Sequence, residues 1–203
     1  NNNKISSFLI IIFKLIAVKV FSQEAKFNIV SSKDYEIFIR VDFPEFKTTQ
    51  VDVNGEIMNK LQMKGGYPVN ETGAPELLLT STSIIIPENA NTTVELVESD
   101  HYEISDFELV PSKGRILRTI DPSTIPYQKG AQYQIDSLLP KSPLFLRDPF
   151  ILRDYQGISL ICYPFQYNPT QKILKVYKSM LICIKFDKRN VQTEPQKITS
   201  EFN

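Results

Sequence analysis

The chain has 203 residues with 23 basic and 23 acidic side chains, so its formal net charge is zero. No face or tail carries a block of basic residues, which removes the electrostatic footprint of a nucleic-acid binder. A hydrophobic share of 42% with 13 Phe and 9 Tyr describes a globular chain, not a disordered one. The length suits one domain with a real core, or two very small ones.

The amino terminus carries Lys4, the apolar run Phe8–Phe13, Lys14, Leu15–Val18, Lys19 and then Val20-Phe21-Ser22-Gln23. A basic start, a short apolar stretch and a small residue before a polar one predict a secretory signal peptide over residues 1–22, cleaved after Ser22. Lys14 and Lys19 interrupt the run, and a membrane span needs around 20 nearly unbroken apolar residues. The chain opens on Asn and not Met, so the leader is expected to be incomplete at its start.

From residue 24 the pattern is that of strands. Tyr35, Ile37, Ile39, Val41 and Phe43 alternate with Glu36, Arg40 and Asp42, the period of a half-buried strand, and Pro44 stops it. Gln50–Val53 followed by Asn54-Gly55 predicts a strand entering a tight turn. Leu77–Leu79 and Ile84–Ile86 are short apolar runs consistent with two buried strands, and Thr92–Val97 alternates again. Between His101 and Val110 the apolar phase shifts from Tyr102 and Ile104 to Phe107 and Leu109, which predicts a β-bulge. Residues 112–146 are polar and proline-punctuated, and a span of that length without periodicity is usually functional or mobile.

Two β-patterned runs, Gly157–Phe165 and Lys172–Phe186, flank Tyr167-Asn168-Pro169, and Asn-Pro initiates turns. They predict an antiparallel hairpin. Its register sets Cys162 opposite roughly residue 176 and away from Cys183, outside the ~7 Å that a disulfide requires. Two buried free thiols are therefore expected. Residues 188–203 read as a polar linker or tail. The sum is an all-β, jelly-roll-like sandwich of about eight to ten short antiparallel strands over residues 24–187.

Catalytic chemistry finds no support. A nucleophile needs a positioned base, and the single histidine, His101, has no local pairing with Cys162 or Cys183. One His and two Cys at these spacings lack the paired-ligand pattern of a zinc site, and there is no Gly-rich phosphate loop. No catalytic residue, metal or cofactor is expected.

Three stretches in order resemble the propeptide domain of the gingipain family of secreted bacterial cysteine peptidases. The first is Gly73-Ala74-Pro75-Glu76-Leu77-Leu78 with Ile84-Ile85-Ile86-Pro87; the second is Phe107-Glu108-Leu109-Val110-Pro111. The third is Pro164-Phe165-Gln166-Tyr167-Asn168-Pro169 with Leu174-Lys175-Val176-Tyr177. The pattern departs at Leu78, where the family often has Pro, and at Arg153-Asp154-Tyr155, where Arg-Gly-aromatic is usual. The resemblance implies a non-catalytic, secreted or cell-surface β-sandwich that keeps a downstream cysteine peptidase domain latent and assists its folding until proteolytic removal. The alternative from another class is an adhesive or structural β-sandwich module without a peptidase. In a bacterium the sequons at Asn70 and Asn91 would usually go unread.

A propeptide of this kind blocks its partner by placing a segment in the cleft, with a substrate-like side chain in the specificity pocket. Arginine suits a pocket containing a carboxylate, because its guanidinium makes paired charged hydrogen bonds. The irregular segment after Pro111 offers Arg115 and Arg118, with Lys113 beside them, as candidates for that contact. Lys188-Arg189, after the last strand, is the candidate processing site.

Overall fold

The longest strand among the described residues, β12 (Ile173–Asp187), organises everything else. In the computed structural model, which describes residues 24–187 apart from residues 34 and 89, β12 is paired along both edges. On one side lie β2 (Glu36–Asp42) and β11 (Phe165–Asn168); on the other lies β7 (Asn91–Ile104). Strand β1 (Lys26–Lys33) completes this first sheet outside β2. The second sheet is built on β10 (Tyr155–Cys162), which pairs on one edge with β6 (Leu78–Ile86). Its other edge takes β8 (Leu144–Leu146) and β9 (Phe150–Leu152). The two-residue strand β5 (Tyr67–Pro68) joins the start of β6, and β3 (Phe46–Val53) with β4 (Glu56–Met63) forms a separate hairpin. The architecture is the expected all-β sandwich, with twelve strands among the described residues where about eight to ten were expected. Strand β1 is among the additions, because its KFNIVSSK sequence has no regular alternation to announce it.

The first core lies between the two sheets. Ile39 and Val41 of β2 and Met180, Ile182, Ile184 and Phe186 of β12 meet Ile86, Ile158, Leu160 and Cys162 from the opposite sheet. The second core lies under the β3–β4 hairpin and takes Leu61, Leu109, Phe165, Tyr167, Leu174 and Val176. Leu174 and Val176 have the same parity as Met180–Phe186, yet they pack in a different core. The cause is a bulge. Tyr177 pairs with His101 and Ser179 with Asp100, so Lys178 has no partner on β7, and the extra residue turns the strand over. Tyr177 accordingly joins the first core while its neighbour Val176 joins the second. Lys178 breaks the apolar parity because it sits at this crossover.

Three expectations need correction. The hairpin at Tyr167-Asn168-Pro169 exists, but only β11 pairs with β12, with Phe165 opposite Val176 and Asn168 opposite Ile173. The run Gly157–Phe165 is divided at Tyr163-Pro164. Pro164 has no N–H for a ladder, and the chain crosses there from the second sheet to the first. Cys162 therefore faces Thr80 and Leu144, not the neighbourhood of residue 176. Secondly, the phase change near residue 105 is not a bulge. β7 ends at Ile104, Asp106 takes a left-handed conformation (φ 54°), and Phe107 starts a new segment by donating its N–H to the Lys172 carbonyl. Thirdly, Leu78-Leu79 and Ile84–Ile86 belong to one strand, β6, joined by the β-favouring Thr80-Ser81-Thr82-Ser83, and Leu77 lies just before it. The Asn54-Gly55 turn is as expected: both residues have positive φ (55° and 89°), and Asp52 Oδ1 accepts the Gly55 N–H at 2.7 Å. The expected signal peptide (1–22) and the polar tail (188–203) lie outside the described residues.

Both cysteines are free and buried. Burial in apolar surroundings pushes the Cys162 thiol up to about 12 and raises that of Cys183 as well. The unfolded Cys162 thiol ionises near 9.0, so between pH 9 and 12 the unfolded state binds fewer protons than the folded one and stability falls as pH rises. Neither thiol is expected to react with a disulfide reagent at pH 8 without denaturant. The urea midpoint of the wild type should fall more steeply than that of Cys162→Ala between pH 9 and 11; parallel curves would contradict this placement.

Candidate functional site

Segment 107–114 is a clamp. Asn59 donates its N–H to the Glu108 carbonyl (2.6 Å) and returns its own carbonyl to the Val110 N–H (2.9 Å). On the other side Glu76 donates to the Val110 carbonyl (2.9 Å), Ser112 to Ala74 (2.7 Å) and Gly73 to Ser112 (2.9 Å). Each bond contributes about 1 kcal/mol net, and together they hold residues 108–112 between β4 and residues 73–76. The Lys60–Glu76 ion pair beneath (3.0 Å) couples a nearly buried carboxylate to a partly exposed ammonium. Burial works against the Lys60 charge, but the Glu76 hydrogen bond and charge outweigh it and raise the amine above its ordinary value. With Lys60 in contact with solvent, the pair contributes no more than about 1 kcal/mol. The backbone bonds, not the ion pair, fix the clamp. Tyr133 Oη adds a bond to the Leu109 carbonyl at 2.7 Å.

Gly114 turns the chain out of this clamp. Its φ is +77°, and a Cβ there would lie 2.1 Å from Thr72 Oγ1. Beyond it the chain makes a projecting loop whose neck is tied by Lys113. The ammonium donates to the Pro122 carbonyl at 2.8 Å and lies 4.1 Å from the centre of the Tyr127 ring. On the return side Asp121 accepts from the Ser123 N–H (2.9 Å) and caps a single 3-10 turn, Pro122–Thr124. That hydrogen bond holds the Asp121 carboxyl below its ordinary value.

The three candidate side chains are thus placed differently. Lys113 is half-buried and engaged at the neck. Arg115 is exposed on an irregular stretch that borders a cleft of about 530 Å³, whose walls include Lys60, Met63, Pro68, Leu78, Ile116 and Tyr127. Arg118 is exposed beside it, at the first central position of the turn closed by Ile120 N–H to the Leu117 carbonyl (3.0 Å). Among the described residues no ion pair engages either arginine. Lys188 and Arg189 lie outside the described residues. The sequence did not single out Gly114 or the neck, since one glycine in a polar segment gives no sign that Thr72 will stand against it.

The other candidate chemistry stays apart. His101 Nδ1 lies 3.1 Å from Ser99 Oγ, and its ring tilts against Tyr177. Cys183 pairs with Glu95, six residues along β7 from His101, or roughly 20 Å. Cys162 is in the other sheet.

The family model described as Propeptide_C25 matches residues 20–202. The chain belongs to this propeptide family. It is a propeptide domain and therefore not the part that performs catalysis. Gingipain R2 of Porphyromonas gingivalis is 34% identical over 149 residues, covering 73% of this chain and 20% of that protein. Lys-gingipain of the same species is 21% identical over 88% of this chain and 11% of its own length. The chain thus spans a fifth or less of these relatives. Among solved structures, a complex of the Porphyromonas gingivalis RgpB pro- and mature domains superposes with a TM-score of 0.76 at 29% identity. The match covers 80% of this chain and 85% of that one. A structure concerned with the zymogenic latency of gingipain K shares the fold, with a TM-score of 0.67 at 19% identity, covering 83% and 96%.

Gly114→Ala is expected to lower stability by about 1–3 kcal/mol, from the left-handed backbone and the overlap with Thr72 together. A Thr72→Ala background removes Oγ1 but leaves the 3.2 Å approach to the residue-72 Cβ, so the cost should fall toward, and not below, the ~1 kcal/mol that the backbone demands. Thermal unfolding of the wild type, the two single variants and the double variant measures both.

Proposed function

We propose that this propeptide domain keeps a downstream cysteine peptidase domain latent by laying the loop between Gly114 and Asp121 into its cleft, with Arg115 in the specificity pocket. The observation that carries this reading is a loop held at a rigid neck with two unengaged arginines beyond it, on a domain of the propeptide family. Arg115 is the stronger candidate. It lies in an irregular stretch before the turn, where a peptide can run alongside a groove, whereas Arg118 is committed to a tight turn. Lys113 supports the loop from its neck. The RgpB structure, a complex of pro- and mature domains, supports such a pairing. The domain would act outside the cytoplasm, secreted or at the cell surface, after removal of residues 1–22. Cleavage after Lys188-Arg189 would separate it from its partner.

The test uses the peptidase domain encoded downstream in the same gene. Arg115→Ala is expected to raise the inhibition constant about 100-fold, and Arg118→Ala to change it by less than about threefold. Lys113→Ala should have an intermediate effect, through a looser loop. Unchanged inhibition in both arginine variants would sink the assignment.

A further inference from the structure

The outer edge of β6 is an open hydrogen-bonding ladder, and two bonds elsewhere establish which groups it presents. Arg147 donates its N–H to the Ser159 carbonyl (3.0 Å), so Ser159 directs its backbone polar groups away from β6. Ser159 stands opposite Ser83. These two residues exchange no bond, and Ser83 points its own N–H and carbonyl outward. At the start of the strand the Val69 N–H reaches the Leu77 carbonyl (2.8 Å), which fixes the same parity. Ser81, Ser83 and Ile85 thus present their N–H and carbonyl groups at the edge, while Thr82 and Ile84 direct theirs to Leu160 and Ile158 of β10. Among the described residues, β5 is the only strand on this edge, and it stops beside Leu79.

Nothing on this edge discourages a further strand. Thr80-Ser81-Thr82-Ser83-Ile84-Ile85-Ile86 is rich in β-branched residues and contains no charge, proline or glycine, and its register with β10 runs without a bulge. The borders of the first sheet are different. β1 carries a bulge after Ile29 and lysines at both ends, and β7 carries Glu95, Glu98, Asp100 and Glu103; these are the usual protections of an open edge.

We propose that this edge is the seat of a second copy of the domain, β6 pairing with β6 antiparallel about a two-fold axis at Ser83. The inference is independent of the latency reading. The open stretch selects its own mirror as occupant. It is bounded at one end by β5 and at the other by Pro87, which lacks an N–H and starts a turn closed by the Ala90 N–H (3.2 Å). Its midpoint is Ser83, so full overlap of two copies sets Ser83 opposite Ser83, Ser81 opposite Ile85, Thr82 opposite Ile84 and Thr80 opposite Ile86. In that register the outward groups of residues 81, 83 and 85 meet those of the second copy, the isologous pattern of a two-fold contact. The side chains agree. Tyr67, opposite Leu79, lies one outward position along from Ser81, so Ile85 of the second copy falls about 7 Å from it on the same face. Tyr67 and Ile85 are 63% and 65% exposed in the single domain, and the axis covers each with the other twice. A contact of one strand is smaller than the ~800 Å² per side of a standard interface, so the dissociation constant is expected on the order of 10 µM.

The test is sedimentation of the full 203-residue chain from about 1 to 200 µM, for the wild type and two double variants. Ser81→Lys with Ile85→Lys sets like charges opposite each other at both ends of the pairing and should weaken the dimer at least about tenfold. Ser81→Lys with Ile85→Glu sets opposite charges there and should return it to within about fivefold of the wild type. Both variants should keep the wild-type melting temperature at the lowest concentration, where all three are single chains. In the wild type, amide exchange read by NMR should slow with concentration at Ser81, Ser83 and Ile85 and stay constant at Thr82 and Ile84, a reading that needs no variant to fold. A wild type that stays monomeric, or that grows beyond two copies, overturns the proposal. So does a dimer indifferent to the paired lysines, or one that the lysine–glutamate variant fails to restore. Slowed exchange at residues 81, 83 and 85 that appears only when the peptidase domain encoded downstream in the same gene is added would assign the edge to that domain and overturn it equally.

Discussion

Strand β12 has hydrogen-bonded neighbours on both edges and apolar contacts on both faces, and every other part of the domain takes its position from it. Its central stretch pairs with β2 and β7 at once, so its backbone polar groups have partners without water. Meanwhile Met180, Ile182, Ile184 and Phe186 enter the core between the sheets. At the bulge the strand turns over and presents Leu174 and Val176 to the second core. Each buried aliphatic contributes about 1.5–3 kcal/mol, so one strand links two cores into one folding unit. The bulged Lys178 also gives its carbonyl to the Phe43 N–H at 2.9 Å, so the extra residue is tied down at the end of β2.

The projecting loop is a consequence of that second core. Leu109 and Phe107 are buried against Phe165, Tyr167 and Leu174, which fixes residues 107–112 beneath the β3–β4 hairpin. From this anchored base the chain leaves through a glycine in a left-handed conformation and returns through a capped 3-10 turn. A loop with a rigid root and a charged exterior loses little entropy when it enters a cleft. Lys113 shows why residue type alone does not assign roles here: it has the charge of a substrate-like residue, yet its ammonium is committed to Pro122 and Tyr127.

Strand β2, the Asn54-Gly55 turn, the all-β class and the buried thiols were legible in the chain because each depends on near neighbours: alternation, turn chemistry, composition. The division of Gly157–Phe165 between two sheets was not. Pro164 marks a break, but a proline shows that a ladder is interrupted without showing that its two sides join different sheets. The shift near residue 105 was visible and given the wrong cause, since a bulge and a turn produce the same change of parity. Among the site residues, Arg115 and Arg118 were visible as exposed basic residues in an irregular span, whereas Gly114 gains its meaning only from Thr72, forty-two positions earlier.

The outward face of the second sheet was the least legible feature. Its members come from β5, β6, β8, β9 and β10, and each strand contributes only one to four residues with ordinary alternation. The sequence by itself determined the class of fold, the strands whose partners are local, the loop that bears the arginines and the family resemblance, because all of these are written in contiguous residues. The tertiary structure decided which face of β12 serves which core, which basic residue is spent at the neck, and which surface remains apolar. Those outcomes depend on register between strands far apart in the chain, and a single residue of register moves a side chain from core to solvent.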